Sequence, residues 1–266
     1  KYVEKYENGQ KKKEINYKEG KPDGLSTIWY VNGQKKFEEN RKNGRLDGIS
    51  VSWYENGQKS WEGKFKNEKL EELGTGWYEN GQTRSKVNYK NGKEEGLWTV
   101  WYENGQKESE RNYKNGKEEG LFTKWFDNGQ KEWEGNNKGG FMRHEGLWTW
   151  WYENGQKEEE ANYKNGKKDG LSTRWYENGQ KKEEGNYKGG FMMFEGLHIE
   201  WYENGQTRSK VNYKNGKRDG LDTEWYKSGQ KKFEGNYKDG KSEGIRTQWN
   251  ENGQKKFEGN YKDGTV

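Results

Sequence analysis

Hydrophobic and polar positions alternate along short segments of the chain. Segment 97–102 is rich in β-branched and aromatic residues, which is typical of a strand. Segment 107–113 has the alternation of a returning strand. Between them lies Asn104-Gly105, a dipeptide that favours a tight type I′ turn because both residues tolerate positive φ. The pattern predicts a β-hairpin, followed by a second, looser turn at Asn115-Gly116.

This hairpin is one unit of an internal repeat. The glutamine that follows the first turn returns at a step of 24 residues eight times and 26 residues twice. The two longer steps contain the turns 139–144 and 189–194, and no segment has a convincing helical period. We therefore predict an all-β fold, namely one elongated single-domain repeat sheet or solenoid over 1–266. It would contain about 11 antiparallel β-hairpin units of ~24 residues each.

Comparison of the copies separates two faces of each outgoing strand. The positions of Leu97, Thr99 and Trp101 alternate and vary little, and the Trp101 position holds Trp in ten copies. We expect these positions, joined by Tyr113 of the return strand, to form the buried face, with the indoles stacked as a ladder. A glycine such as Gly135 would leave room for a neighbouring indole, or mark a bulge.

The intervening positions vary between copies, and we expect them to face away from the buried ladder. They are small, polar or charged near both ends of the chain and large and apolar in the middle. Apolar side chains on a polar face are typical of a contact site, and Trp is enriched at binding hot spots. With the long turns, the predicted partner-binding residues are Trp98, Val100, Phe122, Phe141, Met142, Arg143, Trp148, Trp150, Phe191, Met192, Met193 and Phe194. The alternative is that these aromatics cover the twisted sheet as part of its core.

Composition supports a folded chain with a thin core. Hydrophobic residues make up 26% and charged residues 36%, which alone would indicate disorder, but aromatic residues make up 16%. The net charge of +5 gives no strong attraction to nucleic acid or membrane. The sequence has no cysteine, no apolar run of the ~18 residues that span a bilayer, and no recognisable signal peptide. A cytoplasmic location is only slightly favoured over the cell surface.

Little in the sequence indicates catalysis. Neither histidine belongs to a Ser-His-Asp or Cys-His arrangement. A zinc site from His144, Glu145, Glu195 and His198 is disfavoured, because the histidines lie about two units or roughly 20 Å apart. Recurrent carboxylates such as Glu110 are expected to pair with cations on adjacent strands. We therefore predict no enzymatic activity, no metal and no cofactor.

A family resemblance follows from the repeated motifs. Segment 175–180 (Trp-Tyr-Glu-Asn-Gly-Gln) and segment 184–187 (Glu-Gly-Asn-Tyr) resemble the bacterial variant of the MORN repeat, and the resemblance covers nearly the whole chain. It implies a sheet of β-hairpin repeats. Proteins with this repeat are commonly labelled antitoxins, and eukaryotic MORN proteins are associated with membrane lipids and scaffolding. The copy at 64–76 departs from the pattern, since Glu68, Glu72 and Gly76 replace the usual turn and strand residues.

The sequence thus predicts a non-catalytic protein-binding scaffold or inhibitor with an antitoxin-like or immunity role. Its partner would be a protein, such as a toxin or effector. Two alternatives stay open. The first is a membrane-lipid module, because Phe, Met and Trp near Lys and Arg suit anionic lipid. The second is a single-stranded nucleic-acid binder, against which the nearly equal number of acidic residues, 45 against 50 basic ones, argues.

Overall fold

A computed structural model describes residues 1–140, 143–190 and 193–265. Within these ranges the chain forms β-strands joined by short turns, and no helix is present that could cross a membrane. The chain divides into two compact units, Lys1–Gly129 with Gly139–Phe141 and Gln130–Lys138 with Met142–Val266. The expectation of a single domain over 1–266 stays a prediction.

The first unit is an antiparallel meander in which each strand pairs with the next along the chain. Its strands are β1 (Tyr2–Lys5), β2 (Lys11–Lys18), β3 (Lys21–Trp29), β4 (Lys35–Lys42), β5 (Arg45–Trp53), β6 (Lys59–Lys66), β7 (Lys69–Trp77), β8 (Thr83–Lys90), β9 (Lys93–Trp101), β10 (Lys107–Lys114) and β11 (Lys117–Trp125).

The second unit is built in the same way. Its strands are β12 (Lys131–Asn137), β13 (His144–Trp151), β14 (Lys157–Lys164), β15 (Lys167–Trp175), β16 (Lys181–Tyr187), β17 (Phe194–Trp201), β18 (Thr207–Lys214), β19 (Lys217–Trp225), β20 (Lys231–Lys238), β21 (Lys241–Trp249) and β22 (Lys255–Tyr261). The predicted all-β fold of repeated antiparallel hairpins is confirmed.

The two turns of each copy differ from the prediction in type. At the first turn only Gly105 has positive φ (84°), and its N–H donates to the Tyr102 carbonyl at 2.9 Å. The Gln106 carbonyl accepts from the Tyr102 N–H at 2.8 Å. This pattern fits a type I turn followed by a bulged glycine. The prediction of a type I′ turn at Asn104-Gly105 is therefore wrong.

The type I′ turn lies instead at the opposite end of the hairpin. Asn115 and Gly116 both have positive φ, 52° and 74°, and Lys114 pairs directly with Lys117 across a two-residue loop. Asn104 is kept out of that conformation by its side chain, whose Oδ1 accepts from the Gln106 N–H at 2.9 Å. Side-chain capping thus decides between two turns that share the Asn-Gly dipeptide.

Within each unit, hydrogen bonds tie both ends of a hairpin to the next copy. At the first turn the Tyr102 hydroxyl donates to the Trp125 carbonyl at 2.8 Å, and the Asn104 amide donates to the Asp127 carbonyl at 2.7 Å. At the second turn a carboxylate of the preceding copy accepts from the main chain, as Glu95 does from the Asn115 N–H at 2.8 Å. These bonds fix successive turns in one stack.

We name the two sheet faces by their residues. The ladder face carries the positions of Leu97, Thr99 and Trp101, and the variable face carries those of Trp98 and Val100. Residues directly opposite on paired strands share a face. Tyr113 pairs with Gly96, so Tyr113 lies on the variable face and not, as predicted, with the Trp ladder.

Burial on the ladder face differs from the prediction. The Leu97 position is exposed in all ten copies, from 41% at Leu25 to 63% at Ile245, whereas Thr99 is buried and Trp101 is half-buried. The Leu97 position was expected in the core, and this is wrong. In the described ranges no second layer covers this face, and Leu97 pairs with the short side chain of Asn112.

The half-buried indoles of the ladder face are packed against lysines. Lys157 places its Nζ 5.7 Å from the centroid of the Trp175 ring and also lies 2.9 Å from a Glu160 oxygen. The same Lys–Trp contact recurs in eight copies of the described chain. The Trp ladder is therefore a mixed row of indoles and lysine stems, stabilised by cation–π attraction.

The copy at 64–76 keeps its strands despite its unusual sequence. Strand β7 pairs with both neighbours, but Glu68 and Glu72 have φ of 67° and 60° where other copies place glycine. A residue with a Cβ is strained in this left-handed region by roughly 1–2 kcal/mol. The unusual residues of this copy thus keep the strand pairing and adopt a strained backbone conformation at Glu68 and Glu72.

The bonds between copies lead to a stability prediction. Tyr78→Phe removes the hydroxyl that donates to the Trp101 carbonyl at 2.7 Å and should lower the free energy of unfolding by about 1 kcal/mol. Tyr17→Phe is the matched control, because Tyr17 is 45% exposed and its hydroxyl has no hydrogen bond in the described residues. Urea titration followed by circular dichroism would measure both. Equal losses in the two variants would contradict the role of the hydroxyl.

Candidate interaction groove

The variable face is more buried than the sequence suggested. Phe122 and Trp148 are only 3% and 2% exposed, so the expectation that they point outward into solvent is wrong. Trp98, Val100 and Trp150 are half-buried. Tyrosines of the return strand account for this burial, since their rings lean over the variable positions, as Tyr113 does over Trp98 at 5.5 Å between centroids. A partner-binding role for these residues stays a prediction.

Trp148 is the centre of an aromatic cluster in the second unit. Its ring lies 3.7 Å from His144, 5.5 Å from Trp133 and 5.8 Å from Trp150, centroid to centroid. Its Nε1 donates to the Asn136 carbonyl at 3.0 Å. A Cβ on Gly135 would lie 2.1 Å from this indole, so Gly135 leaves room for it, and the register also shifts between Gly135 and Asn136, as the bulge interpretation expects. These contacts favour the core interpretation for Trp148.

In the first unit the apolar positions pack in the same manner. The Arg111 guanidinium lies 4.5 Å from the centroid of the Phe122 ring. Burial by an arginine stem leaves Phe122 no open surface for a partner, while the neighbouring Trp98 and Val100 keep part of their surface. The central patch is therefore smaller than predicted.

The long turns contribute residues of different accessibility. Arg143 is exposed, Met193 is 48% exposed, and Phe194 is half-buried at the start of β17. The four other predicted residues of these turns, Phe141, Met142, Phe191 and Met192, lie outside the described residues. Met193 and Phe194 are thus the turn residues that can be placed beside a defined surface.

That surface is a groove of about 420 Å³ on the variable face of β15–β20, which we call the aromatic groove. Phe194 stands in its wall, 4.7 Å from the Tyr187 ring and 5.1 Å from the Tyr213 ring, centroid to centroid. Several charged side chains also line the groove, namely Lys168, Arg174, Glu183, Glu200, Arg208, Arg218, Glu224 and Lys232. Aromatic rings interspersed with arginines are the composition of binding hot spots.

A hydrogen-bond network fixes the floor of the aromatic groove. His198 is 5% exposed, and its Nε2 lies 3.0 Å from Oε1 of Glu183. The Tyr187 hydroxyl donates to the same oxygen at 3.3 Å. The hydrogen bond from His198 holds the pKa of Glu183 below its usual range, while burial and the nearby Glu183 raise the pKa of Tyr187. A carboxylate held by two hydrogen bonds therefore forms part of the floor, and the cations stand around it.

The cations at the rim remain accessible. Arg208 is 58% exposed at the side chain and lies 3.6 Å from Glu200, and Arg174 lies at the same distance from Glu183. Exposed pairs at this separation are weak, so a ligand can compete for the guanidinium groups. The rim can thus supply planar donors to a partner without breaking a strong internal bond.

One buried carboxylate lies behind Arg218, a lining residue of the aromatic groove. Asp222 is 1% exposed and accepts from Nη1 of Arg218 at 2.6 Å. Burial raises the pKa of Asp222 to about 6, although Arg218 opposes the shift. A carboxylate in this state can change its charge in mildly acidic solution.

The sequence did not single out this groove. Its floor includes the same variable position that holds Trp148, here occupied by His198. The available signal was the change of residue type at that position and at the Glu94 position, which becomes Lys168 and Arg218 in later copies. Polar residues there were interpreted as solvent-facing, whereas the neighbouring tyrosines cover them.

Comparison with protein families agrees with the repeat geometry. A family model described as MORN repeat variant matches residues 1–19, 70–91, 94–115, 145–165, 168–188, 194–215, 218–239 and 242–263. The chain belongs to the MORN repeat variant family. No curated protein matches it.

MORN-variant repeats form a non-catalytic family of binding repeats, generally associated with protein or membrane-lipid partners. In the described ranges no group of three or more His, Asp or Glu side chains could hold a metal ion. The paired charges and fixed rings of the aromatic groove suit recognition.

The burial of Trp148 leads to a revised mutational prediction. Trp148→Ala should lower the free energy of unfolding by about 3–5 kcal/mol, because it empties a packed indole site and leaves the Asn136 carbonyl without its donor. Trp175→Ala on the ladder face should cost less, since Trp175 is half-buried. Guanidinium titration of both variants provides the measurement. A larger loss for Trp175→Ala would restore the Trp ladder as the main core.

Asp222 gives a prediction on pH. Because its folded-state pKa, about 6, exceeds the ordinary value of 3.8, the folded protein binds this proton more tightly than the unfolded chain. The resulting stabilisation is fully present below about pH 4 and is lost as pH rises to about 6. Asp222→Asn should therefore gain stability relative to wild type between these values, by thermal melting. The exposed Glu177→Gln controls for loss of one carboxylate, and parallel pH profiles for wild type and Asp222→Asn would contradict the assignment.

Proposed function

We propose that this MORN-variant protein is a protein-binding scaffold whose second unit holds its partner in the aromatic groove. The observation that carries the proposal is the joint presence of Phe194, Tyr187 and Tyr213 with accessible arginines in one concavity. Aromatic and arginine side chains contribute most to protein–protein affinity when they line a pocket. Met193, exposed next to Phe194, extends the apolar surface at one side of the groove.

Variation between copies supports the variable face over the ladder face as the contact surface. The ladder face repeats the same Leu, Thr and Trp positions in nearly every copy, so it offers a partner little that is specific to one site. On the variable face each copy differs, and the aromatic groove exists where His198, Arg208 and Arg218 coincide. Specific recognition needs such local differences.

We further propose that binding inhibits the partner, in an antitoxin-like or immunity role. The support for this finer proposal is the resemblance of the repeat to that of antitoxin-labelled proteins. Inhibition would require the partner's active surface to be the one that the aromatic groove covers. Addition of the protein to the purified partner, followed by an activity measurement, tests this separately from binding.

Capture from an extract of the source organism tests the binding proposal. Met193→Ser with Arg208→Ser should lower partner affinity roughly tenfold, because Arg208 lines the aromatic groove and the exposed Met193 directly precedes Phe194 in its wall. The matched control is Leu197→Ser, which removes a similarly exposed aliphatic side chain from the ladder face. We expect a protein that wild type and Leu197→Ser retain and the double variant loses.

Two outcomes would contradict the proposal. Loss of the captured protein with Leu197→Ser, but not with the double variant, would place the contact on the ladder face. Sedimentation of the wild type with anionic vesicles, without any protein captured, would favour the membrane alternative. Circular dichroism of each variant verifies that the fold is intact.

A further inference from the structure

A second groove adjoins the aromatic groove in the second unit. It has a volume of about 240 Å³ and lies over β19–β22, and we call it the basic groove. Arg218, Glu224 and Lys232 line both grooves, while Arg246 and Lys256 line only the basic groove. Because the two grooves have these three lining residues in common, they are contiguous, and one extended segment can lie along both.

Aromatic rings hold the two arginines of the basic groove in place. The Arg218 guanidinium lies 5.4 Å from the centroid of the Tyr237 ring. The Arg246 guanidinium lies 4.9 Å from the Phe233 centroid and 5.6 Å from the Tyr261 centroid. Stacking fixes the plane of a guanidinium and leaves its edge free to donate hydrogen bonds. The donors are thus oriented before any ligand arrives.

The basic groove has more positive than negative charge. Lys232 pairs with Glu224 at 3.2 Å and Arg218 with the buried Asp222, whereas Arg246 and Lys256 form no ion pair with any described residue. The Nε of Arg246 is buried and has no hydrogen-bond partner in the same part of the chain. This atom is sealed from solvent, so a ligand reaches Arg246 only through the part of the half-buried side chain that lines the groove. There its charge is available to an anionic group, because no described carboxylate pairs with it.

The repeat sets the spacing of these cations. Lys232 and Lys256 occupy the same position in consecutive copies, which lie two strands or about 10 Å apart along the sheet. Three residues of an extended polyproline-type segment advance by about 9 Å and return to the same side. Acidic residues three positions apart in such a segment therefore match successive copies.

We propose that the basic groove binds an acidic peptide segment of the protein partner, with carboxylates three residues apart that accept from Lys232, Arg246 and Lys256. The proposal rests on the proposed function, and it adds the chemical class of the partner. Charge complementarity carries it, since Arg246 and Lys256 line the basic groove without an ion pair to any described residue. Because the segment continues into the aromatic groove, neighbouring apolar residues of the partner would contact Phe194 and Met193.

The test uses capped, fluorescently labelled peptides of repeated Glu-Pro-Pro and repeated Gln-Pro-Pro with the chain of residues 1–266. Anisotropy should show binding of the Glu peptide only, and the affinity should fall with added salt. A peptide of the same composition with its glutamates contiguous should bind more weakly than the spaced one. Equal binding of the Glu and Gln peptides, or of the spaced and contiguous ones, would overturn the proposal.

Matched lysine variants locate the site. Lys232→Gln with Lys256→Gln should weaken binding of the Glu peptide roughly tenfold, because two charge-assisted contacts are lost. Lys231→Gln with Lys255→Gln removes the same charge from the same copies, but on the ladder face, where these lysines pair with Glu234 and Glu258. This control should bind as wild type does. Equal weakening by the two pairs would show only a general charge effect and would sink the proposal.

Vesicles with and without anionic lipid provide the last arm. Anionic vesicles that sediment the wild type but not the Lys232/Lys256 variant, with no binding of the Glu peptide, would make the basic groove a lipid headgroup site and overturn the peptide assignment. Failure of the peptide test leaves the proposed function intact, since capture through the aromatic groove depends on Met193 and Arg208. Loss of capture with those variants is measured independently.

Discussion

Within each unit, the structure depends on hydrogen bonds that link a hairpin to the following copy at both of its ends. A tyrosine hydroxyl and an asparagine amide reach forward from the first turn, and a carboxylate caps the second. Such bonds form only when the next copy lies at a fixed offset. A longer copy keeps the same offset, since the Tyr176 hydroxyl still donates to the Trp201 carbonyl at 2.9 Å. The two extra residues are confined to the opposite turn.

A sheet whose hairpins are linked by hydrogen bonds at their turns needs only a thin core. The ladder face is stabilised by indoles, lysine stems and Thr–Glu hydrogen bonds, as between Thr173 and Glu184 at 3.2 Å, with no aliphatic layer above them in the described ranges. The variable face can then change residue type at one buried position from Ser172 to Trp148 to Asp222. Local adjustments absorb the change, such as Gly135 beneath Trp148 and Arg218 beside Asp222.

The sequence predicts the repeat, the strands and their antiparallel order, because these follow from periodicity and local propensity. It does not predict which face is buried. Leu97 has the aliphatic character of a core residue, yet it is exposed because it pairs with the short side chain of Asn112. The polar His198 is buried because the rings of Phe194 and Tyr213 pack against it. In a single-layer sheet the lengths of neighbouring side chains decide burial, and these are non-local. The type I′ turn was also assigned to the wrong end of the hairpin. Both turns contain Asn-Gly, and only the side-chain hydrogen bonds of Asn104 distinguish them.

The candidate site follows from the same separation between a constant frame and a variable face. Each copy contributes one or two side chains at positions about 10 Å from their equivalents, so a groove arises where several copies happen to supply rings and cations together. In the aromatic groove most charges are paired internally, which favours selectivity, because a partner must offer complementary charges to replace these weak pairs. In the basic groove Arg246 and Lys256 keep free donors, which favours attraction of an anionic segment. Adjacent copies with the same backbone can thus have different roles: the copies of the basic groove attract an anionic segment, and those of the aromatic groove select among partners.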